Sequence, residues 1–249
     1  MRPDPFSWSL HLEATLPLVG LAVLYALAVR RFPAERGRIG CFAGGLALLL
    51  AAAVTPLDAL TYHALTAHLL QNVVLAEWAP ALLVLGIPPA LARELVRTRL
   101  ARLATHPAVA LPLWLGTYFA WHLPVAYDAA LREPILLHVE HVAYLAAGVL
   151  LWWPVLQDAP HALAPARRAA YVFAAFVLAS PIGLLLALLP DVVYEFYEGG
   201  TDAWDVSPLT DQQIAGVTMA SEQAIVFFAA FAYFFFRFFA EEERAGEAA

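Results

Sequence analysis

The residues of this sequence best suited to chemistry are its histidines, because imidazole binds copper, zinc and iron. His138 and His141 are three residues apart and share one helix face, from which they could hold one metal ion. His68 and Asn72 are four apart and share a face in the same way. His63 fits that face poorly, because it lies about 140° from His68 around a helix. These spacings favour a metal site whose ligands come from more than one helix.

The composition indicates that these residues lie in a membrane protein. Of 249 residues, 62% are hydrophobic and 14% are charged, whereas soluble domains have about 45–50% and about 25%. The net charge of -7 argues against binding to nucleic acid. A single cysteine, Cys41, excludes a disulfide framework and a CxxC motif within the chain. The sequence contains no GxSxG, P-loop, HExxH or dinucleotide motif, so it gives no sign of an enzyme.

Seven apolar segments are long enough to cross a bilayer, which takes about 20 mostly apolar residues. We therefore predict an all-α fold, with residues 1–249 forming a single polytopic membrane domain of seven transmembrane helices. The predicted helices are approximately 14–30, 39–56, 62–86, 109–128, 136–156, 168–190 and 212–239.

The arginines predict the orientation of this domain, because cytoplasmic loops retain positive charge. In the seven-helix arrangement, 12 of the 14 arginines fall on one side of the membrane. Only Arg2 and Arg132 fall on the other side. The N-terminus is therefore expected outside and the C-terminus inside.

This topology gathers polar residues from different helices at the outer side of the membrane. Ionisable groups within membrane spans are costly and usually functional, although a histidine there can also simply bond to a neighbouring helix or a lipid headgroup. The predicted metal ligands are His68, His122, His138, His141 and Asp211, followed by His63, Asn72 and Asp191.

Carboxyl groups form a second polar feature. Glu77, Glu140 and Glu222 lie within predicted helices, where each could relay protons or pair with another buried polar group. The outer segment between Asp191 and Asp211 is acidic and contains no basic residue. This segment is either a solvated loop or a surface that attracts a cation or a basic partner.

Several segments of the sequence resemble the cytochrome c oxidase assembly factor CtaG family. They are Thr66 to Asn72 with Ala79-Pro80 and Leu85 to Pro88; Trp121 to Pro124 with Tyr127 to Ala130; His138 to His141 with Gly148 and Trp152 to Pro154; and Leu209 to Gln213 with Gly216. They span roughly residues 60–240. Each segment is short, but their order and helix positions make the combination specific.

The resemblance implies a seven-helix membrane protein that is not an enzyme and that helps to mature a heme–copper oxidase by supplying copper. The family's histidine positions correspond to His68, His122, His138 and His141. Where family members often have His-Met-x-x-His, this chain has Asn72 in place of the second histidine. An amide is a weaker copper ligand than imidazole.

Copper is therefore the expected cargo, and an oxidase subunit is the expected partner within the lipid bilayer. A copper donor protein could bind the acidic outer segment, and a homodimer is one possible assembly. The resemblance also implies a multi-pass protein of the bacterial cytoplasmic (inner) membrane, with the histidines toward the periplasm or exterior.

Three alternatives remain open at the level of sequence. Facing histidines on two helices could ligate heme in a redox membrane protein. A transporter of metal ions or protons could use Glu77 and Glu222 in its path. A structural subunit would use its histidines only for packing.

Overall fold

The computed structural model describes residues 3–8, 10–199 and 205–247, and these residues are helical with connecting turns and no strand. The helices are α1 Leu12–Arg31, α2 Arg36–Val54, α3 Pro56–Leu60, α4 Leu65–Val73, α5 Ala79–Gly86, α6 Pro89–Leu95, α7 Arg99–Ala104, α8 Pro107–Trp121, α9 Pro124–Arg132, α10 Pro134–Leu156, α11 Pro165–Leu188 and α12 Pro208–Glu247. A π-helical segment, Val74–Trp78, joins α4 to α5, and a 3₁₀ turn spans Glu195–Tyr197.

Six helical segments in the described part of the chain are long and apolar enough to cross a membrane. They are Leu12–Arg31, Arg36–Val54, Leu65–Gly86, Pro134–Leu156, Pro165–Leu188 and Pro208–Glu247. Each of them corresponds to one predicted helix, so the prediction of an all-helical polytopic membrane protein is confirmed at this level.

The helix predicted at 109–128 differs, because the structure divides it into α8 and α9. The break follows from Pro124, since the residue before a proline is disfavoured in helical conformation; Leu123 has φ -64° and ψ 130°. Helix α8 has 15 residues and is therefore about 22 Å long, against a hydrocarbon core of about 30 Å. The break leaves His122 at the end of a helix rather than within one.

The π-helical segment Val74–Trp78 interrupts the third span next to Pro80. Proline has no N–H to donate to the carbonyl four residues earlier, so Pro80 breaks the α-helical pattern at Ala76. Helix α10 passes very close at this point, because a Cβ on Gly148 would lie 2.2 Å from the Ala76 oxygen. Glycine is therefore required where α10 crosses the segment that carries Glu77.

The bundle has two ends that differ in their polar contacts. At the first, which we call the histidine end, α4, α10 and α12 begin, and the Tyr197 hydroxyl donates to the Thr61 carbonyl at 2.5 Å. At the second, which we call the arginine end, α5 finishes, and Arg38 donates to the carbonyls of Leu85 and Ile87. The candidate site extends from the histidine end into the interior.

Candidate metal centre

The start of α4 is held by a carboxylate from α12, and this contact positions His68 one turn further along. Asp211 accepts hydrogen bonds from the backbone N–H groups of Leu65 at 2.6 Å and Thr66 at 3.3 Å. The Thr66 hydroxyl also donates to it, at 2.7 Å. The first N–H groups of a helix have no partner within the helix, so Asp211 acts as a helix cap supplied by a distant part of the chain.

His68 is fully buried, and its neighbours determine which ring nitrogen carries the proton. The Tyr197 hydroxyl donates its own proton to the Thr61 carbonyl, so its oxygen accepts from His68 Nδ1, at 3.3 Å. A neutral imidazole with a protonated Nδ1 has a lone pair on Nε2. This Nε2 faces Glu140 Oε1 at 3.8 Å, too far for a hydrogen bond.

Glu140 is as deeply buried as His68 and has no positively charged partner among the described residues. Its Oε1 accepts a hydrogen bond from Asn72 Nδ2 at 3.1 Å, and its Oε2 has no hydrogen-bond partner. A buried carboxyl in a bilayer must be protonated or balanced by a cation. The gap between His68 and Glu140 matches an ion with bonds of about 2 Å to nitrogen and oxygen.

His122 is held in the same tautomer by the end of its own helix. Its Nδ1 lies 2.8 Å from the Tyr118 carbonyl, which can only accept, so Nδ1 carries the proton. Its Nε2 is buried and has no hydrogen-bond partner in the described part of the chain. Metal-binding histidines commonly donate their other N–H to a carbonyl in this way. His68 and His122 therefore both present an unprotonated Nε2 to the interior.

A small interior cavity, of about 10 Å³, lies beside His122. Asn72, Glu77, Tyr118, Tyr144 and Met219 are among the other residues that line it. Such a volume is about that of a single water molecule. Polar groups from four helical segments therefore converge on a space for one small ligand.

A larger cavity, of about 240 Å³, lies at the histidine end between α1, α3 and α10. His138 and His141 line it together with His11, Glu13 and Asp58. His138 is exposed, whereas His141 has a buried Nε2 without a hydrogen-bond partner among the described residues. His141 also lies within electrostatic range of His68. We call this space the mouth cavity, because it lies at the end of the bundle and both the exposed His138 and the more enclosed His141 line it.

Asp58 gives the mouth cavity a negative group that is largely shielded from solvent. Burial raises the pKa of Asp58 above its ordinary value of 3.8, although hydrogen bonds from Gln71 and His11 partly offset this increase. His11 Nε2 lies 3.2 Å from the carboxylate, and Gln71 Nε2 donates to it at 3.2 Å. An imidazole and a carboxyl group thus meet in the lining of the mouth cavity.

The predicted ligands fall into three groups in the structure. His68, His122 and Asn72 lie together in the interior, and His138 and His141 line the mouth cavity. The others make different contacts: Asp211 caps α4, His63 Nε2 lies 2.7 Å from the Pro3 carbonyl, and Asp191 is exposed and contributes its carbonyl to Gln212. Across residues 3–8, 10–199 and 205–247, no three His, Cys, Asp or Glu side chains converge closely enough to hold a metal ion.

The comparison with protein families identifies the chain. Residues 23–241 match the family described as cytochrome c oxidase caa3 assembly factor. The chain belongs to the caa3 assembly factor family. No curated protein and no solved structure matches it.

The segments by which the chain resembles this caa3 assembly factor family coincide with the positioning contacts of the site. Asp211 and Gln212 lie in one such segment, and Gln212 accepts from the backbone N–H of Val193 at 2.7 Å. Another segment contains Asp128, which accepts from the backbone N–H groups of Glu195 and Phe196, each at 3.1 Å. These contacts fix the 3₁₀ turn that brings Tyr197 to His68.

Sequence analysis of this caa3 assembly factor missed four residues that contribute to the site: Tyr197, Met219, His11 and Asp58. Tyr197 lies within the acidic outer segment and gives no local signal, since its contact with His68 joins residues 129 positions apart. Met219 is a single methionine on an apolar helix, for which packing is the ordinary explanation. Only His11 and Asp58 could have been found, because both lie near the outer ends of predicted helices.

Proposed function

We propose that this caa3 assembly factor carries copper to a heme–copper oxidase subunit through the histidines of the mouth cavity and interior. The supporting observation is the 3.8 Å gap between His68 Nε2, which has no hydrogen-bond partner in the described part of the chain, and Glu140 Oε1, to which Asn72 Nδ2 donates. Copper supplies the positive charge that this arrangement lacks. Its transfer is an exchange of ligands and requires no change in oxidation state.

In this proposal the protein is a single domain that spans a bacterial cytoplasmic membrane seven times. Helices α8 and α9 together form the remaining crossing, which is the fourth in chain order. The N-terminus is outside, and the histidine end faces the periplasm or exterior. Copper enters by way of His138 and His141, which line the mouth cavity. A copper donor protein binds the acidic segment near this opening, where Arg132 and Glu195 already form an ion pair at 2.9 Å.

Copper fits the histidine cavities better than heme does. The interior cavity has about 10 Å³ and the mouth cavity about 240 Å³, whereas cofactor pockets usually have about 300–1,000 Å³. Copper accepts the imidazole ligands that both cavities offer. A transporter would use the same polar groups, but it would also produce metal flux in reconstituted vesicles.

The test is copper content after loading the detergent-purified protein with copper under reducing conditions. We expect bound copper in the unaltered chain, and at least a tenfold weaker affinity in His68→Ala and in Glu140→Gln. His106→Ala is the matched control, since His106 lies at the arginine end and caps α8. Unchanged affinity in His68→Ala would overturn the assignment of this residue, and absence of copper from the folded protein would overturn copper delivery.

A second variant tests the departure of this chain from the common family sequence. Asn72→His places imidazole next to Glu140, to which Asn72 now donates at 3.1 Å. Because imidazole binds copper more strongly than an amide does, we expect an affinity increase of about tenfold, which is about 1.4 kcal/mol. A weaker affinity in a well-folded variant would show that Asn72 is needed as a hydrogen-bond donor.

A further inference from the structure

The interior cavity contains a set of ligands that differs from the His68–Glu140 gap, because one of them is sulfur. Met219 lines the cavity, and its Sδ lies 3.8 Å from the Tyr118 hydroxyl. His122 and Asn72 line the same cavity, and His122 Nε2 and Asn72 Oδ1 have no hydrogen-bond partners in the described part of the chain. All three side chains are more than nine-tenths buried.

The Glu77 carboxyl also lines this cavity. Gln223 Nε2 donates to Glu77 Oε1 at 3.1 Å, and the second carboxyl oxygens of Glu77 and of Glu222 have no hydrogen-bond partner in the described part of the chain. A single carboxyl group supplies at most one negative charge to a bound ion. No arginine forms an ion pair with either carboxyl among the described residues, and Trp78 donates to Glu222 at 2.5 Å.

These features restrict the ligand to a small monovalent cation. A space of about 10 Å³ admits one bare ion and no hydration shell. A divalent ion would leave an uncompensated positive charge in the membrane interior, which is costly. Thioether sulfur and imidazole together favour copper(I) over zinc, calcium or magnesium.

We propose that the interior cavity is a second copper(I) site, with His122 and Met219 as ligands and the Glu77 carboxylate as the counter-charge. This inference rests on the proposed function for the identity of the metal. Asn72 connects the two sites, because its Nδ2 bonds to Glu140 and the residue also lines the interior cavity. Copper therefore moves from the His68–Glu140 gap past Asn72 to His122 and Met219, in both steps as copper(I) and by ligand exchange.

X-ray absorption spectroscopy of the copper(I)-loaded protein tests this site. The chain contains only three sulfur atoms, those of Met1, Cys41 and Met219, so a copper–sulfur distance is simple to assign. We expect copper–sulfur scattering in the unaltered chain and in Cys41→Ser, and its loss in Met219→Leu. Glu77→Gln is expected to lower copper affinity at least tenfold while the copper–sulfur distance remains detectable at high copper concentration.

Labelling with selenomethionine provides a measurement that does not depend on a variant that folds. Copper–selenium scattering is expected in the labelled protein and not in labelled Met219→Leu, which retains only Met1. Copper bound through nitrogen and oxygen alone would overturn the interior site and leave the proposed function intact. If the folded protein binds no copper, both proposals fail together.

Discussion

Histidines at the arginine end and histidines in the interior use their ring nitrogens differently. At the arginine end, His106 Nδ1 accepts from the Ala108 N–H and caps α8, while His161 Nε2 bonds to the Arg102 carbonyl. In the interior, His68 and His122 each give one nitrogen to a structural hydrogen bond and keep a buried Nε2 without one. Residue type is the same in both regions, so the difference in chemistry comes from the partners that each region provides.

The largest expected effect comes from removing the contact that places His68. Asp211→Ala leaves two backbone N–H groups at the start of α4 without their acceptor, while the Thr66 hydroxyl keeps its bond to the Asp211 backbone carbonyl, at 3.1 Å. A lost cap and buried unpaired donors together cost about 2–3 kcal/mol. We expect this decrease in the free energy of unfolding, measured by denaturation in detergent. Asp205→Ala is the control because Asp205 is exposed, and equal effects of the two changes would contradict the capping role.

Tyr197→Phe removes the oxygen that keeps the proton of His68 on Nδ1 while leaving the aromatic ring in place. Loss of such a supporting hydrogen bond commonly lowers metal affinity about 10–100-fold. We expect the copper affinity of Tyr197→Phe to be about 10–100-fold weaker than that of the unaltered chain. The helical content measured by circular dichroism should change little. Unchanged affinity would show that the environment of His68 does not depend on this hydroxyl, and the contrast between interior and arginine-end histidines would lose its basis.

His106→Ala tests the other side of the comparison. We expect a loss of about 1 kcal/mol in the free energy of unfolding, because a side chain that caps a helix is removed, and no change in copper affinity. His106→Asn should recover most of this stability, since asparagine is a good capping residue. Failure of asparagine to restore stability would indicate that the edge-to-face contact with His161, at 4.8 Å between ring centroids, matters more than the cap.

The smallest expected effect concerns the pH dependence of stability at the mouth cavity. The pKa of Asp58 is raised by burial, so the folded protein binds this proton more tightly than the unfolded chain does. The resulting stabilisation is fully present below pH 3.8 and is lost as pH rises through the raised pKa. The groups that face Asp58 include His11, His138, Tyr62 and Gln71.

Replacement of Asp58 by asparagine should reduce this part of the pH dependence. Unfolding of Asp58→Asn in detergent, followed between pH 4 and 7, should show a smaller loss of stability than the unaltered chain shows. Glu198→Gln is the control, because Glu198 is exposed at the same end of the bundle. Parallel pH profiles for Asp58→Asn and the unaltered chain would contradict the assignment to Asp58.

The spans and the region of the site could be predicted from the sequence, because both depend on local information. Runs of about 20 apolar residues mark membrane helices wherever they occur, and six of the seven predicted helices correspond to segments long and apolar enough to cross a membrane. The choice of His68 and Asn72 relied on helical spacing, which survives in the structure, and His122 was chosen because it lies at the outer end of a predicted helix. The break at His122–Leu123 also has a local cause in the sequence, Pro124. It was not predicted, because the apolar residues on both sides of it indicated one continuous helix.

Only the tertiary structure decided which atoms of these residues face one another. Asp211 looked like a ligand because carboxylates bind metals, yet it caps a helix 145 residues away. Met219 looked like a packing residue, yet it lies in a cavity with His122 and Glu77. The sequence determined which polar groups the membrane interior must contain. Contacts between distant segments determined which of them have partners, because hydrogen bonds depend on the position of each donor and acceptor in space.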